Sequence, residues 1–409
     1  MTGDPTDGRR PGPASAGWPS ATYETVPWAL GEGVRIPRSR HLAHSGPYEA
    51  AVPPSIADLD IPLTGETFAL VDEASTEIAR FDAELGADIA PYAPLLLRSE
   101  SAASSRIENL TASAKAIALA ELGDPTRQNA AIIVANTRTM QAALALADSL
   151  DEQAILDMHE VLLGSSHPEW VGHWRDQQVW IGGSSYGPHG ALFVPPHHER
   201  VPQAMADLVA FMRRDDIPAL VQATVAHAQF ETIHPFPDGN GRTGRALIHS
   251  VLRAKRLTLN VTVPVSAGLL TDVTAYFDSL TAYRQGEPST IVELVAEASF
   301  RAVANGRLLA SELSGIRAEW AVRITARRGA AAHGLADLLV RQPVVDSPLV
   351  QRELGLAATN ANTAIEHLVG KGILTKVSGN HRNRKWAAPD VLGALDEFAA
   401  RAGRRSMAT

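Results

Sequence analysis

The stretch FETIHPFPDGNGRTGRALIHSVL, residues 230–252, is the most informative part of the sequence. Before it, an apolar segment from Leu220 to Ile233 predicts a helix, and His234 follows directly. Pro235 disfavours continuation of that helix. The composition of residues 238–241, Asp-Gly-Asn-Gly, permits positive φ angles. A second helix is predicted to start near Arg242, so the stretch predicts two helices joined by a tight glycine-rich loop.

The loop and the second helix bring together groups that bind anions. Consecutive backbone N–H groups, a helix N-terminus and the side chains of Arg242 and Arg245 converge on one place, which suits a polyphosphate. Asp238 adds a hard carboxylate oxygen that suits Mg²⁺ shared with phosphate oxygens. His234 supplies a base that titrates near neutrality. The combination predicts group transfer from a nucleotide, and the absence of GxxxxGK[ST] excludes a Walker loop.

These residues match the motif HxFx[D/E]GNGRxxR position by position, and in this the chain resembles the Fic family. The matching residues are His234, Phe236, Asp238, Gly239, Asn240, Gly241, Arg242 and Arg245. A glycine turn or a histidine at a helix end is usually structural when it occurs alone. The resemblance implies a protein adenylyltransferase, which moves AMP from ATP to a Tyr, Thr or Ser hydroxyl of a target protein.

The resemblance also assigns roles within the motif. His234 would be the general base, Asp238 would hold Mg²⁺, and Phe236 would anchor the loop in the core. This chain has Tyr276-Phe277 where many relatives have two tyrosines, and Tyr276 is placed on the adenine side. The residues implied to bind ATP are Gly239, Asn240, Gly241, Arg242, Thr243, Gly244, Arg245 and Tyr276.

A second motif lies upstream, within a segment around residues 95–122 that predicts a helix. SSRIEN, residues 104–109, is similar to the family's inhibitory motif [S/T]xxxE[G/N] through Ser104, Glu108 and Asn109. The resemblance implies that Glu108 pairs with Arg245, the arginine that the γ-phosphate needs, and keeps the enzyme inactive. Without the resemblance, a glutamate on a helix is read as a solvated surface charge.

The stretch from Val179 to Val194 has a different pattern from its helical surroundings. Two short apolar pieces, VWI and ALFV, flank GGSSYGPHG, which predicts a β-hairpin with a long turn. It resembles the flap of the family, which would align a segment of the target protein by main-chain pairing. The alternative is an exposed hairpin that binds no partner.

Composition excludes several classes of protein. The chain has 409 residues and no cysteine, which excludes disulfides, zinc–thiolate sites and cysteine nucleophiles. A formal net charge of −8 gives no global attraction for nucleic acid or an anionic membrane. No apolar run approaches the roughly 18 residues of a membrane span. We therefore expect a cytoplasmic protein without a membrane partner.

The predicted fold class is mainly α: a helical Fic fold with a β-hairpin flap, followed by a C-terminal winged helix-turn-helix domain. We expect a Gly/Pro/Ser-rich arm over residues 1–45, either poorly ordered or draped over the domain behind it. The remaining predicted units are an N-terminal helical region with the inhibitory helix (46–150), the Fic core (151–300), a linker helix (301–330) and a separate winged helix-turn-helix (331–409).

The predicted C-terminal unit reads as helix, turn, helix and two strands. Between Asp346 and Ala387 there are six basic and three acidic residues, a local charge of 6 − 3 = +3. The basic residues concentrate in HRNRK, residues 381–385, and Thr359, Asn360, Asn362 and Thr363 begin the candidate recognition helix. Winged helices also mediate protein contacts, so the partner is either DNA or a protein.

Two alternatives to the transferase stay open at this point. One is a DNA-binding regulator whose Fic domain senses nucleotide with little turnover. The other is a hydrolase that removes AMP from a modified protein, in which Glu108 would position water. The sequence also leaves open whether the chain forms a homodimer. His159, in ILDMHEVLL, is expected to be a structural core histidine. His227 and His234 are seven residues apart and so lie on one helix face, but two histidines without a third ligand make a poor metal site.

Overall fold

The computed structural model describes residues 17–28, 44–88, 92–124, 126–327, 329–377 and 384–404. Helices predominate among them, as the sequence predicts. They are α1 (Gly65–Asp88), α2 (Ala93–Ile107), α3 (Ala114–Glu121), α4 (Gln128–Ala145), α5 (Glu152–Leu163), α6 (Val201–Met212), α7 (Ala219–Ile233), α8 (Asn240–Ala254), α9 (Val265–Leu269), α10 (Val273–Arg284), α11 (Pro288–Arg323), α12 (Ala331–Leu339), α13 (Ser347–Leu354), α14 (Ala358–Gly370) and α15 (Pro389–Ala402). The strands are β1 (Thr22–Val26), β2 (Tyr48–Val52), β3 (Val344–Asp346), β4 (Thr375–Lys376) and β5 (Lys385–Ala387).

Helices α7 and α8 form the centre of the fold. Helix α7 is buried on all sides, as a helix without a continuous polar face must be. It ends at Ile233 because Pro235 has no N–H group to continue the helical ladder. Helix α8 begins at Asn240, two residues before the predicted start, after Gly239 in the left-handed conformation. The motif therefore joins two core helices.

The segment predicted to be helical around residues 95–122 contains a break. Helix α2 ends at Ile107, and Glu108 is its C-cap. Asn109 then has φ 63°, in the left-handed region that asparagine tolerates better than most residues. Helix α3 starts afresh after Ser113, whose side chain accepts a hydrogen bond from Ala116 N–H. Glu108 thus lies at the end of a helix, and the prediction that it lies within one is wrong.

Residues 17–28 of the predicted arm are part of the folded structure. Strand β1 pairs in antiparallel fashion with β2, and Trp18 is buried. Ala51 of β2 donates a hydrogen bond to the Val194 carbonyl at 3.0 Å. The ring of Trp28 lies edge-on against that of Trp180, with centroids 5.5 Å apart. This part of the arm therefore packs against residues 179–194, which we call the flap.

The flap does not form the predicted β-hairpin. Only isolated antiparallel bridges occur in it, Ile181 with Phe193 and Ser184 with Gly187. Gly182, Gly183 and Gly190 all have φ between 73° and 74°, which is incompatible with extended strands. The chain reverses direction as expected, but the glycines prevent a continuous ladder.

Helix α11 crosses the boundary predicted between the core and a linker helix. It is continuous over Pro288–Arg323 and buries a long row of side chains, including Trp320. The hydrophobic core continues without interruption into the C-terminal residues, where Phe398 of α15 is buried. The C-terminal unit is therefore packed onto the core rather than separate from it.

Within the C-terminal residues, α13 and α14 are joined by a short turn, and a three-stranded antiparallel sheet has the order β3-β5-β4. Residues 378–383, which include Arg382 and most of the predicted wing, lie outside the described residues. Lys385 at the start of β5 forms an ion pair with Asp124 at 3.4 Å. Across the parts of the chain that the structure covers, no helix is long and apolar enough to span a membrane.

Candidate active site

A cavity of about 750 Å³ lies where α7 ends and α8 begins. This volume is within the range of small-molecule sites. Its wall is completed by the end of α2, the flap and α10. The predicted site residues that line it are Glu108, His234, Asp238, Gly239, Asn240, Gly241, Arg242, Arg245 and Tyr276.

His234 is held in the left-handed conformation, with φ 51° and ψ 61°. Arg175, only 3% exposed, donates from Nε to the His234 carbonyl at 2.9 Å. Its other nitrogens donate to the carbonyls of Gln177 and Pro196 at 2.8 and 2.6 Å. Arg175 therefore fixes the backbone that carries the predicted base. Sequence reasoning missed it, because nothing near residue 175 signals a contact 59 positions later.

The imidazole of His234 lies against the backbone carbonyl of Glu231. That carbonyl has no helical partner, since the residue four positions later is Pro235. Burial, with a smaller contribution from Arg175, lowers the pKa of His234 to about 4. The ring is therefore neutral near pH 7, as a general base must be.

The loop after His234 is held in place by the side chains of Asn240 and His159. The side-chain amide of Asn240 accepts from Phe236 N–H at 2.9 Å and donates to the Phe236 carbonyl at 2.8 Å. His159 stacks on the Phe236 ring with centroids 3.6 Å apart, and its Nε2 lies 2.9 Å from the Asp238 carbonyl. The Asn240 side chain is thus used to shape the loop, and only its backbone N–H is left for an anion.

Two residues predicted to bind ATP do not line the cavity. Thr243 is fully buried, and its N–H donates to the Gly239 carbonyl at 3.0 Å within the first turn of α8. Gly244 faces α7, where an added Cβ would lie 2.9 Å from the Phe230 ring. The glycine allows the two helices to pack closely. Thr243 and Gly244 therefore support the packing of α8 and are not exposed to a ligand in the cavity.

Glu108 bridges both arginines of the motif. Its carboxylate accepts from Arg242 Nε at 2.8 Å and from Arg245 Nη2 at 2.7 Å. Arg245 Nε also donates to Ser104 Oγ at 2.8 Å. Burial opposes the charge on Arg245, but Glu108, Tyr276 and Glu231 together outweigh it and raise the pKa of the guanidinium above its ordinary value. The predicted pairing with Arg245 is present, and the contact with Arg242 is an addition.

Asp238 lies at the mouth of the cavity, with its side chain 54% exposed. Its Oδ2 is 3.3 Å from Arg242 Nη2. Among the described residues, no group of three His, Cys, Asp or Glu side chains could hold a metal ion. A single carboxylate beside two arginines fits Mg²⁺, which takes one or two carboxylates and completes its shell with substrate oxygens and water.

Tyr276 and Phe277 lie at the other end of the cavity. Tyr276 is buried, and its hydroxyl lies 2.7 Å from His227 Nε2. The partner of His227 is therefore a phenol rather than a metal. Phe277 is 51% exposed and presents its ring at the rim, where sequence reasoning placed only Tyr276.

Comparison with known proteins gives the same assignment for the motif region. Residues 149–252 match the model of the Fic/DOC family. Over 108 residues the chain is 32% identical to the protein adenylyltransferase fic-1 of Caenorhabditis elegans, which covers 26% of this chain and 20% of that protein. It is 26% identical over 157 residues to the protein adenylyltransferase Fic of Nematostella vectensis, covering 38% of this chain and 34% of the relative.

A solved structure shares the fold over most of the chain. It is a Fic family protein from Desulfovibrio desulfuricans G20, which is 20% identical and superposes with a TM-score of 0.50. The superposition covers 82% of this chain and 98% of that one. This likeness shows the fold, and the match to the Fic/DOC family is to residues 149–252.

Proposed function

We propose that the protein transfers AMP from ATP to a hydroxyl group of a target protein. The observation that carries the proposal is the meeting, in one cavity, of a partly buried imidazole and two buried guanidinium groups beside the glycine-rich loop at the start of α8. The names of the two relatives above support the same reaction. The matched segments are only 20% and 34% of those proteins, so the activity is our inference for this chain.

The reaction needs little covalent work from the protein. His234 accepts the proton of the target hydroxyl, whose oxygen bonds to the α-phosphorus while the bond to pyrophosphate breaks. Backbone N–H groups at 239–242 and Arg242 stabilise the charge on the phosphates, with Arg245 at the γ-phosphate. Asp238 would hold Mg²⁺, which supplies further neutralisation of the phosphate charge. Positioning and charge stabilisation thus account for the catalysis.

The same geometry supports self-inhibition. Glu108 occupies both Arg242 and Arg245, so the phosphates of ATP compete with it for the same donors. Charge-assisted hydrogen bonds each contribute about 1.5–3 kcal/mol. The Glu108 side chain is 27% exposed, so water can reach it when it moves away. The structure is therefore that of the inhibited state in this proposal.

The flap is the proposed docking surface for the target. Leu192 is 87% exposed there, which offers an apolar contact to an incoming segment. The Val194 carbonyl already accepts a bond from Ala51 of β2. A target strand would therefore pair elsewhere along the flap, by the main-chain recognition known as β-augmentation.

The test compares two positions of the label in ATP. Label in the α-phosphate should become attached either to a protein in cell extract or to the chain itself. Label in the γ-phosphate should not become attached to protein. His234→Ala should lower the rate by roughly 10²–10⁴-fold. His173→Ala, which removes an exposed histidine, is the matched control and should have no effect. Transfer of γ-label, or labelling that survives His234→Ala, would contradict the proposal.

A second candidate function rests on the C-terminal residues. We propose that residues 331–404 form a winged helix whose α14 reads DNA. The side chains of Thr359, Asn360, Asn362 and Thr363 are all exposed on α14, as base contacts require. A DNA-binding regulator without turnover would show salt-sensitive DNA binding and no α-label transfer. A hydrolase would instead remove label from a modified protein.

A further inference from the structure

Helix α2, which ends at Glu108, has two differently packed faces. One face meets the motif helix α8: Glu100 is fully buried and accepts from His249 Nε2 at 2.9 Å and from Ser266 N–H at 2.9 Å. Ser104 on the same face contacts Arg245. Withdrawing the middle of the helix would leave a buried carboxylate without partners, which is costly. Release of Glu108 is therefore expected from movement at the C-terminal end of α2.

That end is attached to the C-terminal helix α15 at two points. Arg106, two residues before Glu108, donates from Nη1 to the Ala399 carbonyl at 2.9 Å. Ala114, six residues after Glu108, donates its N–H to Asp396 Oδ1 at 3.0 Å. Both contacts are helix caps, because Arg106 meets a carbonyl in the last turn of α15 and Asp396 meets a free N–H in the first turn of α3.

Direct packing between α2 and α15 is interrupted by a groove. The groove has a volume of about 260 Å³ and is lined by apolar side chains that include Ala102, Leu395 and Phe398, together with the exposed Arg106 and Asp396. Around the inhibitory segment, the two polar contacts therefore carry more of the attachment than they would between closely packed helices.

We propose that α15 is a clamp, which holds residues 106–114 at both ends and thereby keeps Glu108 on Arg242 and Arg245. The clamp places the inhibited state under the control of the C-terminal unit, because displacement of α15 frees the segment that carries Glu108. The inference rests on the proposed function for its effect on catalysis, but the attachment itself does not depend on that function.

The test uses the full chain with Arg106→Ala and Asp396→Ala, each with Glu108 intact and in a Glu108→Gly background. Glu397→Ala, beside Asp396 on the exposed side of α15, is the matched control. One lost hydrogen bond of ordinary strength changes an equilibrium about two- to tenfold. Labelling from α-labelled ATP should therefore rise about two- to tenfold with Glu108 intact, and not at all in the Glu108→Gly background.

A second measurement needs no enzyme activity. Hydrogen–deuterium exchange of the amides at 108–113 should become faster in both clamp variants and stay unchanged in Glu397→Ala. Gly403→Ala gives an independent approach from α15, since its Cβ would lie 2.5 Å from Arg106 Nη2 and displace that side chain. It should accelerate the same amides.

The outcomes separate the two proposals. Unchanged exchange at 108–113 would overturn the clamp, as would equal increases of labelling in both Glu108 backgrounds. If Glu108→Gly itself transfers no label, the proposed function fails, and exchange alone then decides whether the clamp exists.

Discussion

Glu231 lies one helical turn before His234 and lines the same cavity, but burial shifts the pKa of the two side chains in opposite directions. Burial raises the pKa of Glu231 to about 7, with Glu108 adding to the effect and Arg245 and Arg284 opposing it. His234 faces Arg175, Arg284 and Asp238, and burial lowers the pKa of its imidazole. The predicted base is therefore uncharged near pH 7, where the adjacent carboxyl is half protonated.

This assignment predicts how stability depends on pH. The carboxyl of Glu231 has its pKa raised from 4.5 when the protein folds, so the folded state holds a proton that the unfolded state has lost between about pH 4.5 and 7. The stabilisation is complete below that range and is lost as the pH rises through it. Glu231→Gln has no carboxyl group to ionise, so its free energy of unfolding should not fall over this range. Between pH 5 and 8 it should exceed that of wild type by on the order of 1–3 kcal/mol.

Urea unfolding at pH 5 and pH 8 measures the effect. Glu160→Gln, an exposed glutamate on α5, is the control and should follow the wild type at both pH values. Equal pH dependence of wild type and Glu231→Gln would show that the Glu231 carboxyl titrates normally.

At this scale the sequence predicts the residues that belong to a contiguous motif and misses those that act across the fold. His234, Arg242 and Arg245 follow from the 230–252 stretch, and Glu108 from resemblance. Arg175 and His159 do not, since an arginine or a histidine in an ordinary helical or loop context carries no signal of a contact 59 or 79 positions away. Thr243 lies within the motif but is fully buried and does not line the cavity, which position in the sequence does not reveal.

Among the elements, the loop between α7 and α8 depends on a support that lies outside it. Arg175→Ala removes donors from the carbonyls of His234, Gln177 and Pro196, which are then left without these partners. Unsatisfied buried groups cost about 1–3 kcal/mol each. The variant should unfold at a lower temperature and transfer label more slowly, because the backbone of His234 loses its constraint.

The measurement combines thermal unfolding with initial rates at saturating ATP. Arg213→Ala, which removes an exposed arginine at the end of α6, is the control. A variant at Arg175 with unchanged rate and unfolding temperature would contradict the supporting role.

Element boundaries differ from prediction where a single residue type decides the local conformation. Asn109 breaks the segment that periodicity alone makes one helix, and three glycines prevent the flap from forming strands. Helix α11 shows a different case, since the expected linker belongs to a continuous helix of 36 residues that packs into the core along one side, through residues that include Leu309, Leu313 and Trp320. Periodicity predicts the helices, whereas local residue type and tertiary packing decide where they end.

At the scale of the whole molecule, the exposed charges of the C-terminal unit allow a test of whether it binds DNA. The described basic side chains Lys376 and Arg384 are exposed, whereas Lys385 is paired with Asp124. If α14 and the wing bind DNA, each of the two exposed cations should contribute about one unit to the slope of log affinity against log salt concentration. Lys376→Ala and Arg384→Ala should each flatten that slope.

Fluorescence anisotropy with a mixed-sequence DNA duplex, from low to physiological salt, tests this prediction. Lys115→Ala, an exposed lysine on α3, should leave the slope unchanged. Absence of binding at low salt would exclude DNA as the partner of this unit and favour a protein.

If Glu108 holds an adenylyltransferase site inactive, its removal should release the activity. The most direct measurement is the initial rate of protein labelling from α-labelled ATP and Mg²⁺ for wild type, Glu108→Gly and Glu108→Gly/His234→Ala, with Glu160→Ala as control. Loss of charge-assisted bonds to two arginines predicts a rise of at least about tenfold in Glu108→Gly. The labelling rate of the double variant should be roughly 10²–10⁴-fold lower than that of Glu108→Gly. No rise in Glu108→Gly, or equal rates with and without His234, would contradict the account.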